Sequence, residues 1–333
     1  MKQFILVVLM VLGFGNGMAM ANDSEAEVAV GGLQLKQSSD ISLDKEELFI
    51  SEDEVRVDYL FTNHGAKDVD TLVAFPLPDQ IYNEESGDGP THRLSQDLEF
   101  KTTVDGKPID YQIVEQAILN GKDVTARLAQ DGLGVIAPEN NDTAIAFFKD
   151  KPKAMIDALV KDGLISVEKG SGDPYYSFLW GVRTTVTRQQ VFPAGKTIAV
   201  HHVYKPVAGG SVGGNLSPEY RKEDWAKEHA AQYCIEDGWF KAFDKAVAKH
   251  ATKQTPAPYS ETWLGYVLKS GANWQGPIKD FRLVVDKGKA ENLVSFCAEG
   301  VKKISDTQFE VKKKDFEPKD DLNVLIVKWW KPE

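Results

Sequence analysis

The chain is 333 residues long, 42% apolar and 10% aromatic, with 39 Lys and Arg against 50 Asp and Glu for a net charge of −11. That much apolar side chain can bury more than one core, since single cores stop growing near ~250 to 300 residues. The acidic excess opposes unspecific binding to nucleic acid or anionic lipid, so neither is an expected partner.

Residues 1–21, MKQFILVVLMVLGFGNGMAMA, have the plan of a cleavable signal peptide. Lys2 is positive, Phe4 to Leu12 is apolar, and Ala19-Met20-Ala21 offers a small-x-small cut after Ala21. The apolar run is too short for the ~20 residues of a membrane helix. Later apolar runs are broken by charge or glycine, so no membrane span is expected after cleavage. No cysteine stands at the end of the apolar run, which argues against a lipidated N-terminus. The expected location is periplasmic or secreted.

From residue 22 to 215 the patterns are mostly those of strands. Glu54 to Thr62 alternates Val55, Val57, Tyr59 and Phe61 with polar residues, the two-residue period of a half-buried strand. Leu48 to Ile50 and the turn Ser51-Glu52-Asp53 read as the preceding arm of a hairpin. Thr71 to Phe75 is a strand stopped by Pro76 and Pro78, because proline cannot donate into a ladder. Phe100, Thr102 and Val104 run into Asp105-Gly106, which suits a two-residue hairpin turn. Ile113 to Leu128 has helical composition broken at Gly121, and a second helix lies between Asp150-Lys151-Pro152 and Gly163 with Met155, Ile156, Leu159 and Val160 inward. A helical insertion is thus expected over about 113–163. Tyr175 to Thr187 and Thr197 to Tyr204 are the next strands, the latter with Ile198, Val200, His202 and Tyr204 on one side. The glycine-rich Ala208 to Asn215 reads as a hinge or mobile segment.

From 216 to 333, two helices come first: a charged one from Ser217-Pro218 through Ala230, and Asp237 to His250 with Phe240, Phe243 and Val247 inward. Strands follow at Thr262 to Lys269, Phe281 to Val285, Leu293 to Cys297, Gln308 to Val311 and Leu322 to Trp329. The fold class is mainly β with α insertions (α+β), arranged as two β-sandwich-like domains, 22–215 and 216–333. Cys234 and Cys297 enter an oxidising space and are expected to pair as a disulfide worth roughly 4 kcal/mol in the chain-entropy model; the rival reading is two free buried thiols.

Several long segments in one order carry a resemblance. NDSEAEVAVGGLQL, ISLDKEELFIS with VRVDYLFTN, VAFPLPD, GYVLKSGANWQGPIKDFRL and DFEPKDDLNVLIV together resemble a bacterial exported family known as domain of unknown function 4424. The resemblance implies a periplasmic or secreted two-part protein and carries over no catalytic residue. More locally, FPLP, VDGKPI, the stretch Val114 to Ala126 and FPAGKTIAVHHVY resemble the β-sandwich VIT domain of vault and inter-alpha-trypsin-inhibitor proteins. The Asp-x-Ser-x-Ser metal motif of the von Willebrand A domain that usually accompanies it does not occur in this chain.

The chemistry search assigns no catalytic, cofactor-binding or metal-ligating residue, and no cofactor is expected. Gly195-Lys196-Thr197 lacks the glycine a phosphate loop needs five positions earlier, where Gln190 stands. His201 and His202, adjacent on a strand, point to opposite faces and cannot share a metal. No His-Glu-x-x-His is found. Glu84 to Gly89 and Glu139 to Asp142 offer oxygens without the spacing of a calcium loop, and read as solvated charge. What remains as possible ligand or partner contact is Trp274, in Gly271 to Pro277, exposed or plugging an inter-strand gap, and the pair His202 and Tyr204. Two function classes follow: a non-catalytic exported binding or scaffold protein for a protein or glycan of the cell envelope, or a cell-envelope hydrolase whose carboxylates or His202 are assembled by the fold.

Overall fold

The computed structural model describes residues 23–29, 32–80, 98–168, 172–213 and 215–330; the expected signal peptide and the acidic run Glu84 to Gly89 lie outside the described residues. The chain opens with β1 (Ser24–Ala29), β2 (Gly32–Lys36), β3 (Ile41–Ile50), β4 (Val55–Asn63) and β5 (Val69–Pro76). Next come β6 (Lys101–Val104), β7 (Lys107–Pro108), β8 (Gln112–Leu119), β9 (Lys122–Asp123), and helices α1 (Thr125–Gln130), α2 (Asn141–Phe148) and α3 (Lys153–Lys161). Strands β10 (Ile165–Glu168), β11 (Tyr175–Phe178), β12 (Gly181–Phe192), β13 (Thr197–Tyr204) and β14 (Ala208–Ser211) lead to helices α4 (Asp224–Gln232) and α5 (Asp237–His250). The chain ends in β15 (Tyr259–Tyr266), a 3-10 turn at Lys269–Asn273, β16 (Ile278–Asp286), β17 (Leu293–Phe296), β18 (Lys302–Lys303), β19 (Gln308–Phe316) and β20 (Leu322–Trp329). The protein is mainly β with α insertions.

An eight-stranded sheet, ordered β18-β19-β16-β3-β4-β13-β6-β7, is the largest layer. Its inner face, with Val57, Phe61, Val200 and Leu283, packs on a six-stranded sheet (β2-β1-β5-β12-β8-β9) through Phe75 and Phe192, and on a four-stranded sheet (β14-β15-β20-β17) through Tyr266 and Ile326. Hydrogen bonding crosses the expected division after residue 215, since β16 pairs in parallel with β3 and β14 pairs with β15. Strand β20 is buried on both faces. Val324 and Ile326 enter the large core, while Leu325 and Val327 meet Phe243, Tyr233 and Tyr259 under α4 and α5. Double burial is why its sequence runs VLIV instead of alternating. The disulfide Cys234–Cys297 joins the end of α4 to the end of β17 with an S–S distance of 2.06 Å.

Several sequence expectations are corrected. Ile113 to Leu128 is a hairpin and one short helix, not a broken helix: Asn120 and Gly121 take φ of 50° and 75°, the two positive values of a two-residue hairpin turn, and β8 pairs with β12. In α3, Leu159 is buried and Met155 and Ile156 pack at the edge of its core, but Val160 is 44% exposed. Tyr175 to Thr187 splits into β11 and β12 at Trp180, whose buried ring donates from Nε1 to the Val135 carbonyl (2.7 Å). Helix α4 starts at Asp224; the chain after Ser217 first makes turns closed by Tyr220 N–H to Ser217 O and Glu223 N–H to Tyr220 O. Glu139 and Asp142 are exposed, as solvated charge should be, but the run is a helix start and not a loop, with Asn140 capping α2 through the Thr143 N–H.

The glycine-rich stretch, expected as a hinge, holds strand β14. A Cβ on Gly209 would lie 3.1 Å from the Trp263 ring, and one on Gly210 would lie 2.4 Å from the Glu261 carbonyl oxygen. Glycine is needed there for close approach, which composition alone cannot separate from flexibility.

Candidate functional site

The three residues proposed as ligand or partner contacts come together inside the sandwich. His202 is 0%, Trp274 1% and Tyr204 3% exposed. Alternation along β13 turns His202 and Tyr204 inward beside Phe75 and Phe100. Trp274 plugs the gap between sheets, its ring 4.6 Å from that of Phe61 and its Nε1 donating to the Asp23 carbonyl.

Around them lies a buried ionic group. Asp23, directly before β1, accepts from both terminal nitrogens of Arg188, Nη1 to Oδ1 at 2.9 Å and Nη2 to Oδ2, and from the His202 Nε2–H at 3.2 Å from each oxygen. Burial pushes the Asp23 carboxyl up, yet Arg188 and His202 outweigh it and hold it well below the usual carboxylate range. Burial pushes His202 below the ordinary histidine value, only partly offset by Asp23, so its imidazole is neutral at pH 7. Arg188 is 3% exposed, so the group ties β1 to β12 and β13 out of reach of a substrate. Tyr59 and Tyr266 extend the polar core with a 2.9 Å hydroxyl pair.

One surface a ligand can reach is the outer face of the eight-stranded sheet. Because β13, β4, β3, β16 and β19 are in register, alternate residues line up across strands: His201 opposite Asp58, Asp58 opposite Glu47, Glu47 opposite Arg282, and Arg282 opposite Lys312. One step along, Leu60, Lys45, Asp280 and Lys314 form a parallel rung. Ion pairs lace the rungs: His201 Nδ1 to Asp58 (2.8 Å), Lys45 to Glu47 (3.0 Å), Lys314 to Asp280 (3.0 Å), and Arg282 and Lys312 to Glu310 (2.8 and 3.1 Å). Two shallow grooves of about 480 Å³ each lie here. One runs over Leu60, Asp58, Thr103 and His201, the other over Arg282, Asp280 and Lys312 to Lys314, and they meet at Lys45 and Glu47.

A second polar spot lies between α4 and β15. The Glu261 carboxylate, buried, accepts from His229 Nε2 and Trp263 Nε1, both at 2.9 Å through Oε2, while Oε1 has no hydrogen-bond partner. Burial, then the charge of Glu261, pushes the neighbouring Tyr233 hydroxyl above its ordinary value. Among the described residues there is no group of three or more His, Cys, Asp or Glu side chains that could hold a metal ion.

A model of the family described as domain of unknown function (DUF4424) matches residues 21–325. The chain belongs to this family. Among solved structures, a crystal structure of a "putative nutrient binding protein" from Legionella pneumophila is 15% identical; the match covers 92% of this chain and 70% of that one, with a TM-score of 0.41. A TM-score that low establishes neither a shared fold nor a shared ligand. No curated protein matches the chain.

In this DUF4424 protein the outer-face rungs escaped sequence reading. The polar positions of β4 and β13 are visible in the alternation EVRVDYLFT and TIAVHHVY, but the neighbour of β3 on its other side is β16, more than two hundred residues on, and no local pattern names it.

Proposed function

We propose that the protein is an exported, non-catalytic binding or scaffold protein that takes a protein or glycan of the cell envelope across the outer face of its eight-stranded sheet. The two adjoining grooves over β13, β4, β3, β16 and β19 carry this reading: they offer charged and hydroxyl groups held on rigid strands, in fixed register, over a sheet whose other face is core. The disulfide supports an oxidising, extracytoplasmic compartment. Trp274, His202 and Tyr204 act in this proposal by fixing the sheet from behind, not by touching the ligand.

The test is hydroxyl-radical footprinting of the protein with and without solubilised envelope material. Protection of Leu60, His201 and Lys45 supports the proposal. Protection confined to another surface, such as the exposed pair Tyr220 and Trp225, or none at all, overturns it.

A further inference from the structure

We propose that the ligand of this outer face is an acidic glycan, one carrying both carboxylate or phosphate groups and free hydroxyls, and that its anionic groups sit on the β3-β16-β19 half of the face. This deepens the proposed function and rests on it. The groove there is lined by Lys45, Arg282, Lys312, Lys313 and Lys314 against Glu47 and Asp280. Lys313 alternates to the other side of β19 and pairs with Glu299, while Glu310 pairs with Arg282 and Lys312, so the face itself carries four cations against three carboxylates, still the reverse of the balance of the whole chain, whose net charge is −11. An anion is therefore attracted to this patch and repelled by much of the remaining surface.

The cations are available. Lys312 and Lys314 are 64% and 74% exposed; an incoming carboxylate or phosphate can replace the exposed Asp280 as the partner of Lys314, and can share Lys312 with Glu310, which Arg282 also holds. Strand register sets their spacing: Lys312 and Arg282 stand on neighbouring strands, roughly 4.8 Å apart, close to the length of one pyranose residue. Polymer units laid across the strands thus meet successive strands along one rung.

The carboxylates choose between anionic polymers. Glu47, Asp58 and Asp280 face the same grooves, and a carboxylate accepts hydrogen bonds from hydroxyls while repelling a second acid. Lys45 beside Glu47 and Asp280 beside Arg282 therefore suit a chain alternating acid and hydroxyl groups better than a uniformly acidic peptide. A protein partner is further disfavoured because Leu60 is the one large apolar side chain lining the grooves apart from core residues of the strands, whereas protein hot spots centre on desolvated aromatic anchors.

Isothermal titration calorimetry on the full mature protein tests this with four probes: polygalacturonate, phosphomannan, neutral dextran and poly-L-glutamate. The expected result is binding of polygalacturonate or phosphomannan, the stronger one telling carboxylate from phosphate, that weakens with added salt. K312E/K314E should weaken it by roughly tenfold or more, as loss of charge-assisted hydrogen bonds implies, while K153E/K227E, the same charge change on α3 and α4, leaves it within about twofold. Thermal melts confirm that both variants fold. Equal binding of dextran, equal binding of poly-L-glutamate, equal weakening by the two variants, or no binding of either acidic glycan each overturns the inference. Footprinting separates that failure from a failure of the proposed function: protection of the outer face by envelope material leaves the binding face standing and removes only the acidic ligand.

Discussion

Replacing Arg188 by Met tests how the sandwich is held at its centre. The guanidinium is almost fully buried and makes two of the hydrogen bonds to Asp23, which is itself 0% exposed. Met fills similar space without charge, leaving a buried carboxylate with only the neutral His202 N–H. Removing one partner of a buried pair costs about 3 to 5 kcal/mol, a factor of about one hundred to several thousand in the folded-to-unfolded ratio at about 1.4 kcal/mol per tenfold. The loss should depend on pH. Arg188 lowers the affinity of His202 for a proton and Asp23 raises it; with Arg188 gone, His202 can charge and pair with Asp23. R188M should therefore lose less stability at pH 5 than at pH 8, relative to the native protein at each pH. D23N/R188M, which removes both charges, should recover much of the loss. Urea unfolding followed by tryptophan fluorescence measures all three. A loss in R188M below about 1 kcal/mol, or a double variant no more stable than R188M, would refute the assignment of this pair as the central tie.

Other expectations follow from the same structure. Gly210→Ala places a Cβ 2.4 Å from the Glu261 carbonyl oxygen, so β14 must move; a loss of about 1 to 3 kcal/mol and faster amide exchange at residues 208–211 are expected, and unchanged exchange would show that the glycine is there for another reason. C234S/C297S opens a loop of sequence separation 63 and should cost about 4 kcal/mol in the chain-entropy model, read as a lower urea midpoint; an unaltered midpoint contradicts it. His202 is held below its unfolded value, so the unfolded chain binds the extra proton and stability falls as pH drops below about 6.5. Asp23 is depressed as well, and its contribution, present above about 3.9, is lost as pH falls through its folded value. In H202Q the loss between pH 7 and 5 should shrink, and parallel profiles for H202Q and the native protein would refute the histidine's part.

The sequence by itself determined the elements whose periodicity is local: β4, β13 and α5 lie at or within a residue of where alternation or helical spacing puts them, because burial on one face leaves a period of two or of 3.6 in the chain. It also placed His202 and Tyr204 together and His201 on the opposite face. The Asn-Gly of Asn120 and Gly121 was as legible as Asp105-Gly106, yet helix-favouring residues around it masked the turn, since propensity is weak against sheet pairing. Only the tertiary structure decided the rest. Whether Gly209 and Gly210 mean a hinge or a tight crossing depends on Trp263 and the Glu261 carbonyl, some fifty residues away. That Asp23 meets Arg188 and His202, and that Lys45 and Glu47 stand beside Asp280 and Arg282, depends on strand pairings between distant segments. Such pairings are chosen by the joint burial of many apolar faces, a property of the whole packed core that no single stretch of chain contains.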